Sequence, residues 1–393
     1  MRCYSVAHST LIRSNTGEDQ PLPLPDHEPP NADVYEEFFQ AVKERRRADV
    51  ESYIQRRKVS PNTPQVVSKT SIYPLIMASK NGDNLMIELM VKSGAKLDCT
   101  ASNHKTPLIY ALENNKGTAA TRLIELGIDA QRNNPKHPGA GINHADEDGR
   151  TALHVAAKKN MYSITQILLE EGANPDRSSA GGYTPLMEAV LREDRKERPH
   201  STNVLRVLLE PGHNHKGANP ALATSKEKRE ATAIHIAACH GFIEDLKVLV
   251  ETPRTKALNA CDRLDVFNRS ALWLAAEGGH VEAVRVLVES TRKEIINHIS
   301  LVAEKPTSIW AAMSDDPEKS ADVLEIVSIL IAKDADAKIT DVEGRTIVHR
   351  VCELGYADVL DVLLTTDVDP FAPENPKISG KQPLVRILSL LPS

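Results

Sequence analysis

Aromatic residues are scarce in this chain of 393 residues, at only 4% of the sequence. Alanine and the aliphatic residues are plentiful instead, and the chain is long enough for one large hydrophobic core or several smaller ones. With so few large side chains, we expect thin apolar layers rather than one thick globular core.

Cysteine usage argues against two kinds of small-domain scaffold. The five cysteines are odd in number, and no two of them have the C-x-x-C spacing. This argues against a disulfide framework and against a zinc ribbon. Free thiols are typical of a reducing compartment, so we predict a cytoplasmic or nuclear protein.

Long apolar runs and a large excess of one charge sign are both missing. The formal net charge is −6, so the chain has no global basic field of the kind that attracts nucleic acid. No apolar run is long enough to span a bilayer, and the N-terminus lacks the apolar core of a secretory signal. We therefore expect neither nucleic-acid binding nor a membrane span.

Signatures of catalysis and cofactor binding are also missing. The chain has no P-loop, no G-x-S-x-G and no H-E-x-x-H. Residues 139–141 (GAG) lack the third glycine and the preceding strand of a dinucleotide site. His213 and His215 have no nearby acid or thiol to complete a metal site. We expect no enzyme activity, no cofactor and no metal.

What the sequence does contain is a repeated unit, clearest at residues 146–176 (DEDGRTALHVAAKKNMYSITQILLEEGANPD). Gly149 can take the positive φ of a tight turn, and Thr151 can cap the helix that follows. Ala156 is small enough to let a neighbouring unit approach closely. An amphipathic second helix follows, which Gly172 is placed to end in a left-handed conformation.

Weaker copies of this unit fill most of the chain, each with a capping residue two positions before an apolar one. The eight helix starts are Tyr73-Pro74-Leu75, Thr106-Pro107-Leu108, Thr151-Ala152-Leu153, Thr184-Pro185-Leu186, Thr232-Ala233-Ile234, Ser270-Ala271-Leu272, Thr307-Ser308-Ile309 and Thr346-Ile347-Val348. They are 33, 45, 33, 48, 38, 37 and 39 residues apart. The shortest spacing equals the period of about 33 residues of one helix–turn–helix repeat class, so insertions account for the longer ones.

The order of turn glycine, T-x-L-H, A-A, L-L and G-A-N-P resembles an ankyrin repeat. The resemblance runs from about residue 32 to the end. It implies an all-α solenoid of paired antiparallel helices with hairpin loops, in about eight repeats plus terminal caps. One unit cannot bury its own apolar face, so stacked copies would share a continuous core. In this family the T-x-L-H imidazole is structural, which implies that role for His154, His235 and His349. Trp273 and Trp310 stand at the same position and are expected in the core.

We divide the chain into a proline-rich tail, residues 1–31, which we expect to be disordered, and the solenoid, residues 32–393. The solenoid would consist of an N-terminal cap (32–68), eight repeats with insertions (69–375) and a C-terminal cap (376–393). The basic runs of the N-terminal cap fit either a solvated cap face or a nuclear-import signal.

Glycines are expected to end the second helices of the first four repeats. They are Gly94, Gly127, Gly172 and either Gly212 or Gly217. Insertions that interrupt the repeats are placed near residues 131–142, 192–201, 211–230 and 314–321.

The resemblance implies a concave protein-binding face made of hairpin tips and first helices. In this family, the residues just before and after each helix start point into that groove. Here they include Lys69, Lys80, Asn103, Lys105, Glu147, Asp148, Arg150, Lys158, Lys159, Tyr183, Phe267 and Arg269. Tyrosine and arginine are enriched at interface hot spots, so we expect Arg150, Tyr183, Phe267 and Arg269 to be anchors. An ordinary polar surface with two stray aromatic residues would fit the same positions.

The function implied by the resemblance is a non-enzymatic interaction module or scaffold that binds a protein partner and is itself a monomer. Two alternatives are the substrate-recognition subunit of a ubiquitin ligase and an ankyrin-type inhibitor or regulator of a nuclear or signalling protein. A further alternative is an enzyme whose site is built on the insertions. A shift in melting temperature with metals or nucleotides would favour the enzyme.

Overall fold

The computed structural model describes residues 32–67, 70–134, 139–196, 202–302 and 305–369. The predicted tail, the predicted C-terminal cap and Lys69 lie outside the described residues. The domain boundaries that depend on them stay predictions.

The described residues form twenty α-helices and one two-stranded hairpin, with β1 (Gln65–Val67) antiparallel to β2 (Thr70–Ile72). The first ten helices are α1 (Ala32–Lys43), α2 (Arg47–Arg56), α3 (Pro74–Asn81), α4 (Asn84–Lys92), α5 (Pro107–Glu113), α6 (Gly117–Asn133), α7 (Ala152–Lys158), α8 (Tyr162–Glu170), α9 (Pro185–Val190) and α10 (Asn203–Leu209). The other ten are α11 (Ala233–Cys239), α12 (Ile243–Glu251), α13 (Pro253–Ala257), α14 (Ala271–Glu277), α15 (Val281–Val288), α16 (Lys293–Ile296), α17 (Ser308–Ala311), α18 (Ser320–Ala332), α19 (Ile347–Leu354) and α20 (Ala357–Leu364).

All eight predicted helix starts are confirmed, because a first helix begins directly after the capping residue of each one. In most repeats a short turn then reverses the chain into a second helix. First helices α3, α5, α7, α9, α11, α14 and α17 stack in that order. Second helices α4, α6, α8, α10, α12, α15, α18 and α20 form a parallel stack behind them. The predicted all-α solenoid is therefore confirmed.

The helix pair α1–α2 closes the N-terminal end of the stack, with α1 against α3 and α2 against α4. Phe38, Phe39 and Val42 of α1 and Val50 of α2 are buried. Their burial places one apolar layer between this pair and the first repeat.

Gly127 does not end a helix, so this prediction is wrong. Helix α6 continues through it to Asn133, and the start of the insertion near 131–142 is therefore helical. Gly127 is instead a point of close approach. A Cβ on this residue would lie 2.6 Å from the backbone nitrogen of Ala140, which packs against the helix. Glycine serves the packing of the insertion here rather than helix termination.

Gly217, rather than Gly212, occupies the terminator position of repeat 4. Its φ is +77°, and the next residue, Ala218, donates its N–H to the carbonyl of Leu208 at 2.6 Å. Ala173 makes the same bond to Leu168 after Gly172 in repeat 3. Residues 210–216 are therefore inserted before the terminator.

The charged insertion near 192–201 begins with a buried ion pair. The side chain of Arg192 is only 1% exposed, and its Nη1 lies 3.0 and 2.9 Å from the carboxylate oxygens of Asp245 on α12. Two residues later, Asp194 accepts a bond from the amide of Asn160 in repeat 3 at 2.8 Å. This short segment ties together repeats 3, 4 and 5. Removing one member of a buried pair leaves an uncompensated charge, which is strongly destabilising.

Replacing Ala156 by Asp tests whether the repeats behave as a linear array. Ala156 is fully buried on α7, which packs between α5 and α9. An unpaired carboxylate there is very costly to bury. We expect Ala156→Asp to raise amide hydrogen exchange in repeats 2 to 4 and to leave repeats 6 to 8 unchanged, because each repeat touches only its neighbours.

The matched control is Ser163→Asp, which places the same side chain on the exposed face of α8. It should leave exchange unchanged throughout the chain. Exchange that rises equally in all repeats of Ala156→Asp would contradict the linear array.

Candidate functional site

In repeats 3, 5, 6 and 7, a ring N–H at the third position of the first helix helps to position the segment that follows. In repeat 3 this is His154, and the backbone N–H of Thr151 donates to its Nδ1 at 3.1 Å. Because Nδ1 accepts this bond, the ring proton is on Nε2, which donates to the carbonyl of Tyr183 at 3.0 Å. The imidazole thus caps its own helix and holds the next hairpin. The structural role expected for this histidine is confirmed.

Later repeats use the same link with either imidazole or indole as the donor. The ring N–H donors and carbonyl acceptors are His235 with Arg269 (3.2 Å), Trp273 with Lys305 (3.0 Å) and Trp310 with Ile339 (3.0 Å). Both tryptophans are buried, as predicted. Their N–H bonds show that they also fix the following segment.

Burial makes the two linking histidines difficult to protonate. Desolvation is the main cause, and it lowers the pKa of both His154 and His235 to about 4. Both imidazoles are therefore neutral at physiological pH, as the dual role of acceptor at Nδ1 and donor at Nε2 requires.

Three hairpins are further fixed by an aspartate clamp that sequence analysis missed. In repeat 3, Asp146 Oδ1 accepts the backbone N–H groups of Asp148 (3.1 Å) and Arg150 (2.8 Å), while Oδ2 accepts the Arg150 guanidinium at 3.0 Å. The other clamps are Asp265 with Arg269 and Asp341 with Arg345. The signal was present, because D-x-x-x-R precedes the capping residue in all three repeats.

Backbone hydrogen bonds join the hairpin tips of repeats 2 to 7 into one row. Each bond joins a backbone N–H of one tip to a carbonyl of the tip before it. The donor and acceptor pairs are Glu147 with Asn103 (3.3 Å), Ala180 with Asp148 (2.7 Å), Ser225 with Gly181 (3.2 Å), Val266 with Arg229 (3.0 Å) and Leu301 with Phe267 (2.8 Å). The tips therefore form a continuous edge beside the stacked first helices.

Four of the predicted binding residues meet between the first helices of repeats 2 to 4, around a cavity of about 60 Å³ lined in part by Arg150, Lys158 and Lys159. Each cation faces a carboxylate. The pairs are Lys105–Glu113 (2.7 Å), Arg150–Glu113 (3.6 Å), Lys158–Glu188 (3.5 Å) and Lys159–Glu193 (2.7 Å). We call these seven residues the charged cluster. They present both charge signs on one surface.

The other predicted residues are spread along the same side. Lys80 is exposed at the end of α3, and Glu147 and Asp148 are exposed at the tip of repeat 3. Asn103 is half-buried at the tip of repeat 2, where its amide donates to the Tyr110 hydroxyl at 3.1 Å.

The four expected anchors differ in how free their side chains are. Phe267 is 41% exposed, and Tyr183 is half-buried. Arg150 and Arg269 are held by their clamps, and the Arg269 guanidinium also lies 4.9 Å from the centre of the Phe267 ring. Their role in binding stays a prediction, but each arginine has a structural task that sequence analysis did not assign.

A cleft of about 550 Å³ lies on the second-helix side, where the insertion near 211–230 begins. It is lined by Arg206, Leu209, Glu210, Pro211, Lys216, Val248, Glu251, Thr252, Pro253 and Arg254. This lining contains no histidine or cysteine, and its polar side chains are those of Arg206, Glu210, Lys216, Glu251, Thr252 and Arg254.

The described thiols are poor nucleophiles where they are buried. Burial raises the pKa of Cys99 to about 12 and that of Cys261 and Cys352 to about 11. Across the described ranges, no group of three His, Cys, Asp or Glu residues is placed to hold a metal. No helix within those ranges has the length and apolar character needed to cross a membrane.

The linking histidines predict an acid-sensitive fold. Their pKa is about 4 in the folded chain and near 6.5 when unfolded, so the unfolded chain binds more protons between these values. Their contribution to the free energy of unfolding is complete above about pH 6.5 and is lost as the pH falls towards 4. It amounts to roughly 3 kcal/mol per histidine. We expect His154→Gln with His235→Gln to lower stability at neutral pH, because the bonds to the Tyr183 and Arg269 carbonyls are disturbed. The variant should lose less stability on acidification, because glutamine does not titrate, and glutamine can still cap the helix.

Urea unfolding at about pH 7.5 and about pH 4.5 measures the free energy of unfolding and how much of it is lost on acidification. The control is His104→Gln with His213→Gln, at two exposed positions, which should lose as much stability as the unmodified chain. An equal loss in the His154/His235 variant would show that other groups govern acid unfolding.

Comparison with known proteins agrees with this architecture. A family model described as ankyrin repeats (3 copies) matches residues 38–134, 136–219 and 197–299. Inversin of Canis lupus familiaris is 27% identical over 175 residues, which are 44% of this chain and 14% of that protein. Rabankyrin-5 of Homo sapiens is 39% identical over 88 residues, which are 22% of this chain and 7% of that protein.

Among solved structures, an ankyrin repeat domain from Acinetobacter baumannii AYE aligns with a TM-score of 0.45 and 19% identity, covering 55% of this chain and 96% of that one. This chain spans only a small part, 14%, of the length of Inversin. Because the family model matches more than half of the residues, the chain belongs to the ankyrin repeat family.

Proposed function

We propose that this chain is a non-enzymatic, monomeric interaction module that binds a protein partner along the face formed by its hairpin tips and first helices. Ankyrin repeats indicate a protein–protein interaction module. The observation that carries the proposal is the row of hairpin tips, which five backbone hydrogen bonds join from repeat 2 to repeat 7. A surface fixed before binding loses little conformational entropy when a partner docks.

The charged cluster supports the same face. Its cations are held by carboxylates, so their side chains are ordered before a partner arrives. Lys158 keeps 39% of its side chain exposed beside Glu188. A partner can therefore add contacts to both charge signs without first ordering long side chains, and such complementarity favours specificity.

Arg150 and Arg269 suit the role of anchors because Asp146 and Asp265 fix their guanidinium groups. Arginine and aromatic residues are the usual hot-spot types. Both aspartates are almost completely buried, so alanine at either arginine would strand a carboxylate and destabilise the hairpin. A clean test of binding must leave the clamps intact.

The module description also fits the alternatives. A substrate-recognition subunit of a ubiquitin ligase, or an inhibitor of a nuclear or signalling protein, would be a special case of it. The free thiols of the described cysteines fit a cytoplasmic or nuclear location. Identifying the captured partner separates these cases.

The first test uses a face variant, Lys80→Ala with Glu147→Ala, Lys158→Ala and Lys159→Ala. These positions lie on the proposed face and outside the clamps. We expect capture of partner proteins from cell lysate to fall at least about tenfold, with an unchanged circular dichroism spectrum.

The matched control is Lys92→Ala with Glu171→Ala, Lys247→Ala and Lys256→Ala, which removes the same charges from the second-helix side. It should capture the same proteins as the unmodified chain. Capture that is equal for the face variant and this control would refute the proposed face.

Charge is distributed unevenly along the solenoid. Residues 40–69 contain eight Lys or Arg and three Asp or Glu, a net charge of +5. Residues 310–374 contain five Lys or Arg and fifteen Asp or Glu, a net charge of −10. In a solenoid these ends stay apart by much more than the Debye length of about 8 Å at physiological salt, so neither neutralises the other. We propose that the acidic end meets a basic surface of the partner.

Association with the captured partner should therefore slow as salt is added, because complementary charge acts mainly on the rate of encounter. Asp358→Asn with Asp361→Asn and Asp369→Asn should make this salt dependence shallower. These carboxylates are exposed near the C-terminal end of the described chain. Asp367 is left unchanged so that its pair with Lys338 is kept.

Stopped-flow association rates at several salt concentrations measure the slope. Asp129→Asn with Glu170→Gln and Glu171→Gln removes the same charge from earlier repeats and should have a smaller effect. Identical slopes for all three proteins would mean that the acidic end plays no part in binding.

A further inference from the structure

The hairpin tips change character along the array. Repeats 6, 7 and 8 expose large apolar side chains at their tips, and we call these five residues the apolar ridge. They are Val266 (37% exposed), Phe267 (41%), Ile299 (59%), Leu301 (67%) and Val342 (70%). Exposed apolar residues that are scattered singly are ordinary, whereas a contiguous set marks an interaction site.

The fold itself does not require apolar residues at these positions. Asp265 clamps the repeat 6 hairpin with the same bonds that Asp146 makes in repeat 3. The outward residues differ completely, because residues 147–148 are Glu-Asp and residues 266–267 are Val-Phe. Since the same clamped backbone carries two carboxylates in one repeat, the clamp does not require the apolar pair in the other.

The backbone fixes the part of the ridge that lies on repeats 6 and 7. Leu301 donates its N–H to the Phe267 carbonyl at 2.8 Å, which sets the tips of repeats 6 and 7 side by side. The Arg269 guanidinium supports the Phe267 ring from one side. Next to Leu301, the buried Ser300 hydroxyl donates to the Lys305 carbonyl at 2.9 Å. These bonds hold the apolar side chains outward on an ordered backbone.

The two ends of the ridge carry opposite charge. At the repeat 5 end, the tip carries three basic residues, Lys226, Lys228 and Arg229, and two glutamates. This tip adjoins the ridge, because the Arg229 carbonyl accepts the Val266 N–H at 3.0 Å. At the repeat 8 end, Glu343 is exposed next to Val342. The described residues from 310 to 369, which include both helices of repeat 8 and the second helix of repeat 7, have a net charge of −9.

We infer that the apolar ridge docks one segment of a partner protein that has an apolar centre, an acidic end over repeat 5 and a basic end over repeat 8. The inference rests on the proposed function and names the partner chemistry of that face. Neighbouring helices lie about 8–10 Å apart, so the four tips of repeats 5 to 8 extend over about 30 Å. An extended segment of about nine residues covers that distance.

The test transfers the tip of repeat 3 to repeat 6 as Val266→Glu with Phe267→Asp, in the full chain. We expect this variant to fold, because repeat 3 carries the same residues on the same clamp. The probe is a phage-displayed library of random peptides of about twelve residues, selected on the unmodified chain. Enriched peptides should have an apolar centre between an acidic and a basic end, and should bind the tip variant at least about tenfold more weakly.

The control variant, Leu85→Asp with Leu258→Glu, makes a similar change at two exposed apolar residues, Leu85 on the second helix α4 and Leu258 just after α13. It should bind the enriched peptides as the unmodified chain does. Circular dichroism and thermal melting of both variants confirm that they are folded.

Three results would overturn the inference. In the first, no peptide is enriched, or the enriched peptides lack the apolar centre with opposite ends. In the second, the tip variant binds the enriched peptides with undiminished affinity. In the third, light scattering shows a dimer that the tip variant disperses, so that a second copy covers the ridge. If the face variant loses capture from lysate while the tip variant keeps it, the proposed function stands and only the ridge is refuted.

Discussion

In repeats 3, 5, 6 and 7, the segment that follows the repeat is held by a hydrogen bond from a buried ring N–H to one of its backbone carbonyls. A hairpin of a few residues has no hydrophobic core of its own, so its place must be set by neighbours. His154 and Trp273 make this bond in different ways. The imidazole also accepts the cap N–H and must be neutral to do both. The indole is only a donor, so it cannot accept the N–H of its capping residue. The Ser270 hydroxyl accepts the backbone N–H of Trp273, as the Thr232 hydroxyl accepts that of His235.

Local chemistry explains why the helix starts could be predicted from sequence and one terminator could not. A capping hydroxyl followed by proline or alanine acts within one turn, so its consequence is visible in four residues. Glycine has two uses, a left-handed φ or a close approach, and the sequence around Gly127 does not distinguish them. Its role depends on Ala140, which follows thirteen residues later and packs against it. The choice between Gly212 and Gly217 likewise depends on a bond to Leu208.

The sequence predicted which residues flank the helix starts, and their role in binding stays a prediction. Whether an arginine there is free or engaged depends on a partner that periodicity does not reveal. Asp146 engages Arg150 through the turn geometry, and Asp245 engages Arg192 from 53 residues away. The insertion near residues 192–201 has a charged sequence, yet it contributes a buried link between repeats.

The aspartate clamps separate the requirements of folding from those of binding. Each clamp satisfies two backbone N–H groups from inside the hairpin, so the outward side chains are not needed for these backbone bonds. Residues 147–148, 266–267 and 342–343 accordingly read Glu-Asp, Val-Phe and Val-Glu on similarly clamped turns. In a linear array such changes affect few neighbours and cost little stability. The tips can therefore differ in chemistry from repeat to repeat while the scaffold that aligns them stays the same.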